Sequence, residues 1–179
     1  PIQVSIHQFY GIEINDFAVA VAKTALWIAE EQMMEATQEI LLQPFDFLPL
    51  KSNGNIHEGN ALRMDWNDVL PAERCAYIVG NPPFYGSSNC DGKQKKEITD
   101  LFGKVKRASS LDYVSGWYYK ASEYMSQNDE VRTAFVSTNS ITQGEQVYPI
   151  WGTLIERFGI SIDFAWNTVS YTHLRAHET

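Results

Sequence analysis

The sequence is poor in cysteine, in positive charge and in long apolar runs, and each shortage excludes something. Cys75 and Cys90 are the only cysteines, and two thiols at that spacing make neither a disulfide framework nor a metal pattern. Lys and Arg number 14 against 22 Asp and Glu, a formal charge of −8, which speaks against holding a polyanion by bulk charge. No apolar run is long enough to span a membrane, and no charged-then-apolar leader opens the chain. The expectation is a soluble, cytoplasmic protein with no membrane association. His7 and His57 have no partners at useful spacing, and no metal site is expected.

What is present suffices for one substantial core: 179 residues, 44% of them hydrophobic. Gln8 to Asn15 reads as a short buried strand with a polar end. Asp16 can cap a helix in which Phe17, Val21, Ala25 and Ile28 recur at helical spacing, with an end near Met34. A loop over Gln43 to Asn55 and a short strand within Gly54 to Leu62 follow. Cys75 to Gly80 is the clearest buried strand, with Cys75 as a core residue.

Tyr85 to Ser109 is polar, glycine-bearing and lysine-rich, and reads as a long functional loop in which Cys90 is an exposed thiol. Leu111 to Met125 reads as a helix with Tyr113, Trp117 and Tyr118 on its core face, and Arg132 to Thr138 as a strand. Glu145 to Phe158 reads as a helix with Pro149 in its first turn, where a missing N–H costs little. Ile160 to Trp166 alternates like a last strand. Strands alternating with helices predict an α/β fold, a mostly parallel sheet with helices on both faces. Ligands in such sheets sit at the carboxyl ends of strands, and Glu13, Asp65 and Asn81 all fall at or just past such ends.

Gly80-Asn81-Pro82-Pro83-Phe84 carries the most chemistry. An exocyclic amine conjugated to a ring or carbonyl is a poor nucleophile. Two acceptors on its hydrogens draw the nitrogen toward tetrahedral geometry and aim its lone pair. The Asn81 side-chain carbonyl can supply one acceptor and the Pro82 backbone carbonyl the other. Two successive prolines fix φ and remove competing N–H groups, and Phe84 can stack on a flat base turned out of its duplex. The plain alternative is a turn that ends a strand, with Phe84 in the core. The buried strand before it and the α/β pattern around it favour the chemical reading.

Gly80 to Phe84 resembles the catalytic motif of the N6-adenine DNA methyltransferases, a class that uses S-adenosylmethionine. Tyr10-Gly11-Ile12-Glu13-Ile14 resembles that family's second-strand motif. The resemblance implies that Glu13 binds the cofactor ribose hydroxyls and that Ile14 packs on its adenine. Gly59-Asn60-Ala61-Leu62-Arg63-Met64-Asp65-Trp66 resembles the following motif, which implies that Asp65 accepts a hydrogen bond from the cofactor's adenine amine. A helix-capping carboxylate at Glu13 and a turn cap at Asp65 are the structural alternatives, and Tyr10 and Trp66 read as packing residues. Phe135 to Gln146 resembles one branch in particular, the single-polypeptide type IIG/IIL restriction–modification enzymes (MmeI-like), in which nuclease, methyltransferase and target recognition are fused.

The resemblance covers about residues 3 to 168. It implies a truncated Rossmann-like methyltransferase fold and an activity that moves a methyl group from S-adenosylmethionine to a flipped-out adenine in double-stranded DNA. Lys93, Lys95 and Lys96, beside the motif, are candidate DNA contacts; a solvated charged face is the alternative. Residues 1–168 are thus expected to be a partial catalytic domain that lacks the family's first glycine-rich motif, weak or inactive alone. Residues 169–179 have no periodicity and read as a non-native or disordered tail, so His173 and His177 are not read as a metal pair. Two readings stay open beside DNA adenine: methylation of protein glutamine or of an RNA base, and a nucleotide-binding α/β module without catalysis.

Overall fold

A computed structural model describes residues 4–41 and 55–166. All but Asn55 of the expected loop at Gln43 to Asn55, and the tail from Val169, lie outside them. The chain divides into two compact units, Pro1–Cys75 and Ala76–Thr179.

In the first unit, strand β1 (Tyr10–Glu13) leads into helix α1 (Asp16–Leu41), and strand β2 (Asn55–Glu58) pairs with β1 in parallel, Tyr10 opposite Asn55 and Glu13 opposite Glu58. Gly11 lets the strands close: a Cβ there would stand 2.8 Å from the Ile56 side chain. Helix α1 starts where the Asn15 side chain accepts from the Ala18 N–H at 2.9 Å and the Asp16 carboxylate accepts from the Phe17 N–H at 2.6 Å, so both side chains satisfy N–H groups of the first turn. The helix runs a further turn or two past Met34, since nothing from Glu35 to Leu41 breaks it. The residues that recur at helical spacing do not form a buried stripe: Phe17, Val21 and Ile28 are exposed, and Val19 is buried.

In the second unit, strand β3 (Tyr77–Gly80) pairs in parallel with a later strand, β4 (Arg132–Phe135), Tyr77 opposite Arg132 and Gly80 opposite Phe135. Between them lie helices α2 (Gly92–Phe102) and α3 (Ser115–Met125), and α4 (Thr153–Phe158) follows β4. The α/β class with parallel strands is as expected. Among the described residues the strands form two pairs. β3 is not buried: Tyr77 and Val79 are 76% and 79% exposed.

The core of the second unit is aromatic. Tyr119 of α3 meets Phe102 at 5.0 Å between ring centroids and Phe158 at 5.2 Å, while Tyr118 meets Phe135 and Trp151 edge-on. These tilted and edge-to-face contacts suit the ring quadrupole. The Arg157 guanidinium lies over the Tyr119 and Phe158 rings. Tyr113 is buried and edge-on to Trp117, so the expected aromatic face is a packing face, although α3 starts only at Ser115.

Three expectations fail here for physical reasons. The lysine-rich segment is not a loop throughout. Asp91 and Gln94 form a reciprocal capping box, 2.8 and 2.9 Å, and Ile98 and Phe102, four apart, are both buried, so α2 forms despite its charge. Glu145 to Phe158 is not one regular helix: a π-helical turn at Tyr148–Gly152, with Pro149 near its start, precedes α4. Ile160 to Trp166 makes no strand; no described strand pairs with it, and Ile162, Phe164 and Trp166 are exposed.

Candidate active site

The Asn-Pro-Pro turn leaves the carboxyl end of β3 and is held at its entry. The Val136 N–H donates to the Gly80 carbonyl at 3.0 Å, and the Phe135 ring lies so near Gly80 that an added Cβ would meet it at 3.2 Å. A side chain at position 80 would therefore have to push the Phe135 ring aside by a few tenths of an ångström.

From there the side chains open outward. Pro82 is buried, Asn81 and Pro83 are exposed, and Phe84 is 48% exposed. Among the described residues, no group hydrogen-bonds the Asn81 carboxamide and no N–H donates to the Pro82 carbonyl. Both proposed acceptors are therefore unspent among the described residues, and the Phe84 ring is half-exposed.

The exit of the turn is fastened. The Tyr113 N–H donates to the Tyr85 carbonyl at 2.9 Å, the Ser87 N–H donates to Asp112 Oδ1 at 2.8 Å, and the Cys90 thiol donates to the Gly86 carbonyl at 3.5 Å. Cys90 is buried, not exposed as expected. Burial, with the Asp112 carboxylate adding to it, pushes the thiol pKa up, so the thiol stays protonated and serves as a donor. Nearby, a cleft of about 550 Å³ is lined by Ser87, Ser140, Gln146, Arg107 and Glu145 among others. Arg107 pairs with Glu145 across it.

The three candidate DNA-contacting lysines share α2 and are exposed. Lys96 is engaged by Asp100 at 2.6 Å, one helical turn on. Behind the turn, burial raises the Tyr118 pKa; the phenol is neutral at physiological pH.

The other candidates lie in the first unit. Glu13 ends β1, half-buried, with Oε1 accepting from the Asn15 N–H at 3.0 Å. Its other oxygen has no partner among the described residues. Ile14 beside it is 67% exposed. Glu58 stands opposite Glu13 in the parallel register, and the Gly59 N–H donates to the Glu13 carbonyl at 2.8 Å, so the segment that carries Asp65 starts next to Glu13. A carboxylate with an unspent oxygen and an exposed apolar side chain at one strand end fit a ribose diol and a flat purine. Asp65 accepts through Oδ1 from the Asn67 N–H and side-chain amide at 2.9 and 3.1 Å, so one of its oxygens caps a turn. The Trp66 indole donates to the Ala61 carbonyl, a packing role.

Asp112, Cys90 and Glu58 were not among the sequence candidates. A signal for Asp112 existed: a carboxylate set inside the apolar run Leu111-Asp112-Tyr113-Val114.

This arrangement has relatives. The chain is 44% identical over 173 residues to DNA methyltransferase A of Bacillus subtilis (strain 168), covering 95% of this chain and 20% of that protein. It superposes with a TM-score of 0.83 and 47% identity on a solved structure of the type IIL restriction-modification enzyme MmeI in complex with DNA, covering 87% of this chain and 21% of that one. The chain thus spans about a fifth of the length of these relatives. The description of the MmeI DNA-methyltransferase domain matches residues 1–179, and the chain belongs to that family.

Proposed function

We propose that this chain supplies the catalytic turn and part of the donor site of a DNA methyltransferase that modifies adenine at N6, within a restriction–modification enzyme that carries nuclease and target-recognition regions. The observation that carries the reading is the pair of unspent acceptors, the Asn81 carboxamide and the Pro82 carbonyl, beside the half-exposed Phe84 ring. An adenine swung out of double-stranded DNA stacks on Phe84. Its two amine hydrogens are taken by Asn81 and Pro82, which leaves the nitrogen lone pair directed at the donor. Asn81 and Pro82 place and polarise the amine; neither forms a covalent bond.

The donor is S-adenosylmethionine, held through its ribose by Glu13 and its purine by Ile14, with Asp65 toward the adenine amine. When bound it supplies an electrophilic methyl on a sulfonium. Lys93 and Lys95, exposed on α2, face the polyanion, and Lys96 exchanges Asp100 for phosphate. The MmeI relative was solved with DNA, which supports DNA as the partner here.

Incubating the complete gene product with DNA and methyl-labelled S-adenosylmethionine, then digesting to nucleosides, is expected to place the label on N6-methyladenine. Label on cytosine, on RNA or on protein glutamine instead would overturn the acceptor. Glu13→Ala removes a charged hydrogen-bond acceptor worth about 1.5–3 kcal/mol. Calorimetry is expected to show S-adenosylmethionine binding weakened about 10- to 100-fold; unchanged affinity would remove Glu13 from the donor site.

A further inference from the structure

Asp112 is 6% exposed and belongs to none of the groups assigned above to donor or acceptor. Its carboxylate and its N–H reach two other stretches of chain. Oδ1 accepts from the Ser87 N–H at 2.8 Å, at the exit of the catalytic turn. Oδ2 accepts a short hydrogen bond from the Ser140 hydroxyl. The Asp112 N–H donates to the Gln146 side-chain carbonyl at 2.9 Å. Ser140 is in turn 2.7 Å from the Thr138 hydroxyl, close after the end of β4.

A buried carboxylate is costly unless its lone pairs are met, and an apolar residue of similar size often serves stability as well. What the carboxylate adds is direction: two fixed bonds that set the distance between two segments. Here those segments are the exit of the Asn-Pro-Pro-Phe turn and the stretch from Ser140 to Gln146, and Ser87, Ser140 and Gln146 all line the same cleft. With Gly80 tied to Val136 at the entry, the turn is anchored at both ends and unbonded at Asn81 and Pro82.

We infer that Asp112 is a positioning residue for methyl transfer: it clasps the exit of the catalytic turn to the Ser140–Gln146 segment and so sets where the amine acceptors of Asn81 and Pro82 stand. The inference rests on the proposed role of the turn. Releasing the clasp lets the acceptors drift, and a displacement on the order of 1 Å costs about 100-fold in rate. Donor binding, assigned to Glu13 and Ile14, does not depend on it.

The test compares Asp112→Ala, Asp112→Asn and Ser140→Ala in the complete gene product. Measured are kcat for transfer from labelled S-adenosylmethionine to DNA, the affinity and stoichiometry of S-adenosylmethionine binding by calorimetry, and thermal stability. Asp112→Ala is expected to lose about 100-fold in kcat per binding-competent molecule, with donor affinity within about 2-fold of wild type. Asp112→Asn can accept from Ser87 and donate to Ser140, so it is expected to stay within about 5-fold of wild type. Ser140→Ala, which removes one arm and leaves Ser87 held, is expected to lose about 10-fold.

If Asp112→Ala does not fold, the other two variants decide. Wild-type kcat in both Asp112→Ala and Ser140→Ala overturns the inference, as does wild-type kcat in Ser140→Ala should Asp112→Ala not fold. So does an Asp112→Asn that falls as far as Asp112→Ala, because the rescue then fails. A wild type that methylates an amine other than adenine would overturn the acceptor proposed above and leave this comparison readable on that amine.

Discussion

Replacing Asn81 by alanine is expected to cut methyl transfer by about 100- to 1000-fold while leaving the fold intact, because the carboxamide, proposed to meet the substrate amine, is committed to no other group among the described residues. The side chain is exposed and has no hydrogen-bond partner among the described residues. Its loss therefore opens no cavity and strands no buried group, and substitutions of that kind stay within about 0.5 kcal/mol of wild-type stability. The turn itself is retained, since its shape comes from Pro82 and Pro83 and from the anchors at Gly80 and Ser87. What disappears is one of two acceptors on the amine, and with it the alignment of the lone pair. Transfer of labelled methyl groups to DNA, with S-adenosylmethionine affinity measured beside it, separates the two effects. An Asn81→Ala protein that transfers at the wild-type rate would sink the acceptor role, whatever its donor affinity.

The turn was legible in the sequence because everything it needs is contiguous. A strand end, a glycine, an amide, two prolines and an aromatic residue lie in five positions, and the two prolines dictate the backbone. The strand end at Glu13 was legible for the same reason, whereas the donor-site roles of Glu13 and Ile14 came from the family resemblance. Asp112 shows in the sequence only as a carboxylate in an apolar run; its partners Ser87, Ser140 and Gln146 are 25, 28 and 34 residues away, and no local pattern connects them. Cys90 was misread on the polarity of its neighbours; its burial comes from the backbone of Tyr85 and Gly86, which folds over the thiol. The alternation of Ile160 to Trp166 was read correctly as pattern, but a pattern makes a strand only when another strand meets it. Phe17, Val21 and Ile28 illustrate the same limit: helical spacing fixed their common face, not what covers it.

The same limit bears on α2, whose existence depends on two side chains more than on its composition. Its exposed face is lysine-rich, and Lys93, Lys95 and Lys96 give it little intrinsic reason to pack. Ile98 and Phe102 are 1% and 2% exposed, and the Phe102 ring packs at a tilt against Tyr119 of α3, 5.0 Å between centroids. The capping box at Asp91 and Gln94 settles where the helix begins, and a cap is worth only about 1 kcal/mol. Phe102→Ala removes the ring and leaves a cavity against Tyr119, a loss of about 3–5 kcal/mol. Lys96→Ala breaks an ion pair whose partners are both largely exposed, a change of about 0.5 kcal/mol or less. Hydrogen exchange in the complete gene product is expected to show the amides of α2 opening at least about 100-fold more readily in Phe102→Ala and nearly unchanged in Lys96→Ala. Equal protection in the two variants would mean that α2 is not held by its buried face. Because the hydroxyl of Tyr113, the neighbour of Asp112, donates to Glu97 of α2, loosening the helix is also expected to lower methyl transfer, and a Phe102→Ala protein with exposed α2 amides but full activity would detach the helix from the catalytic turn.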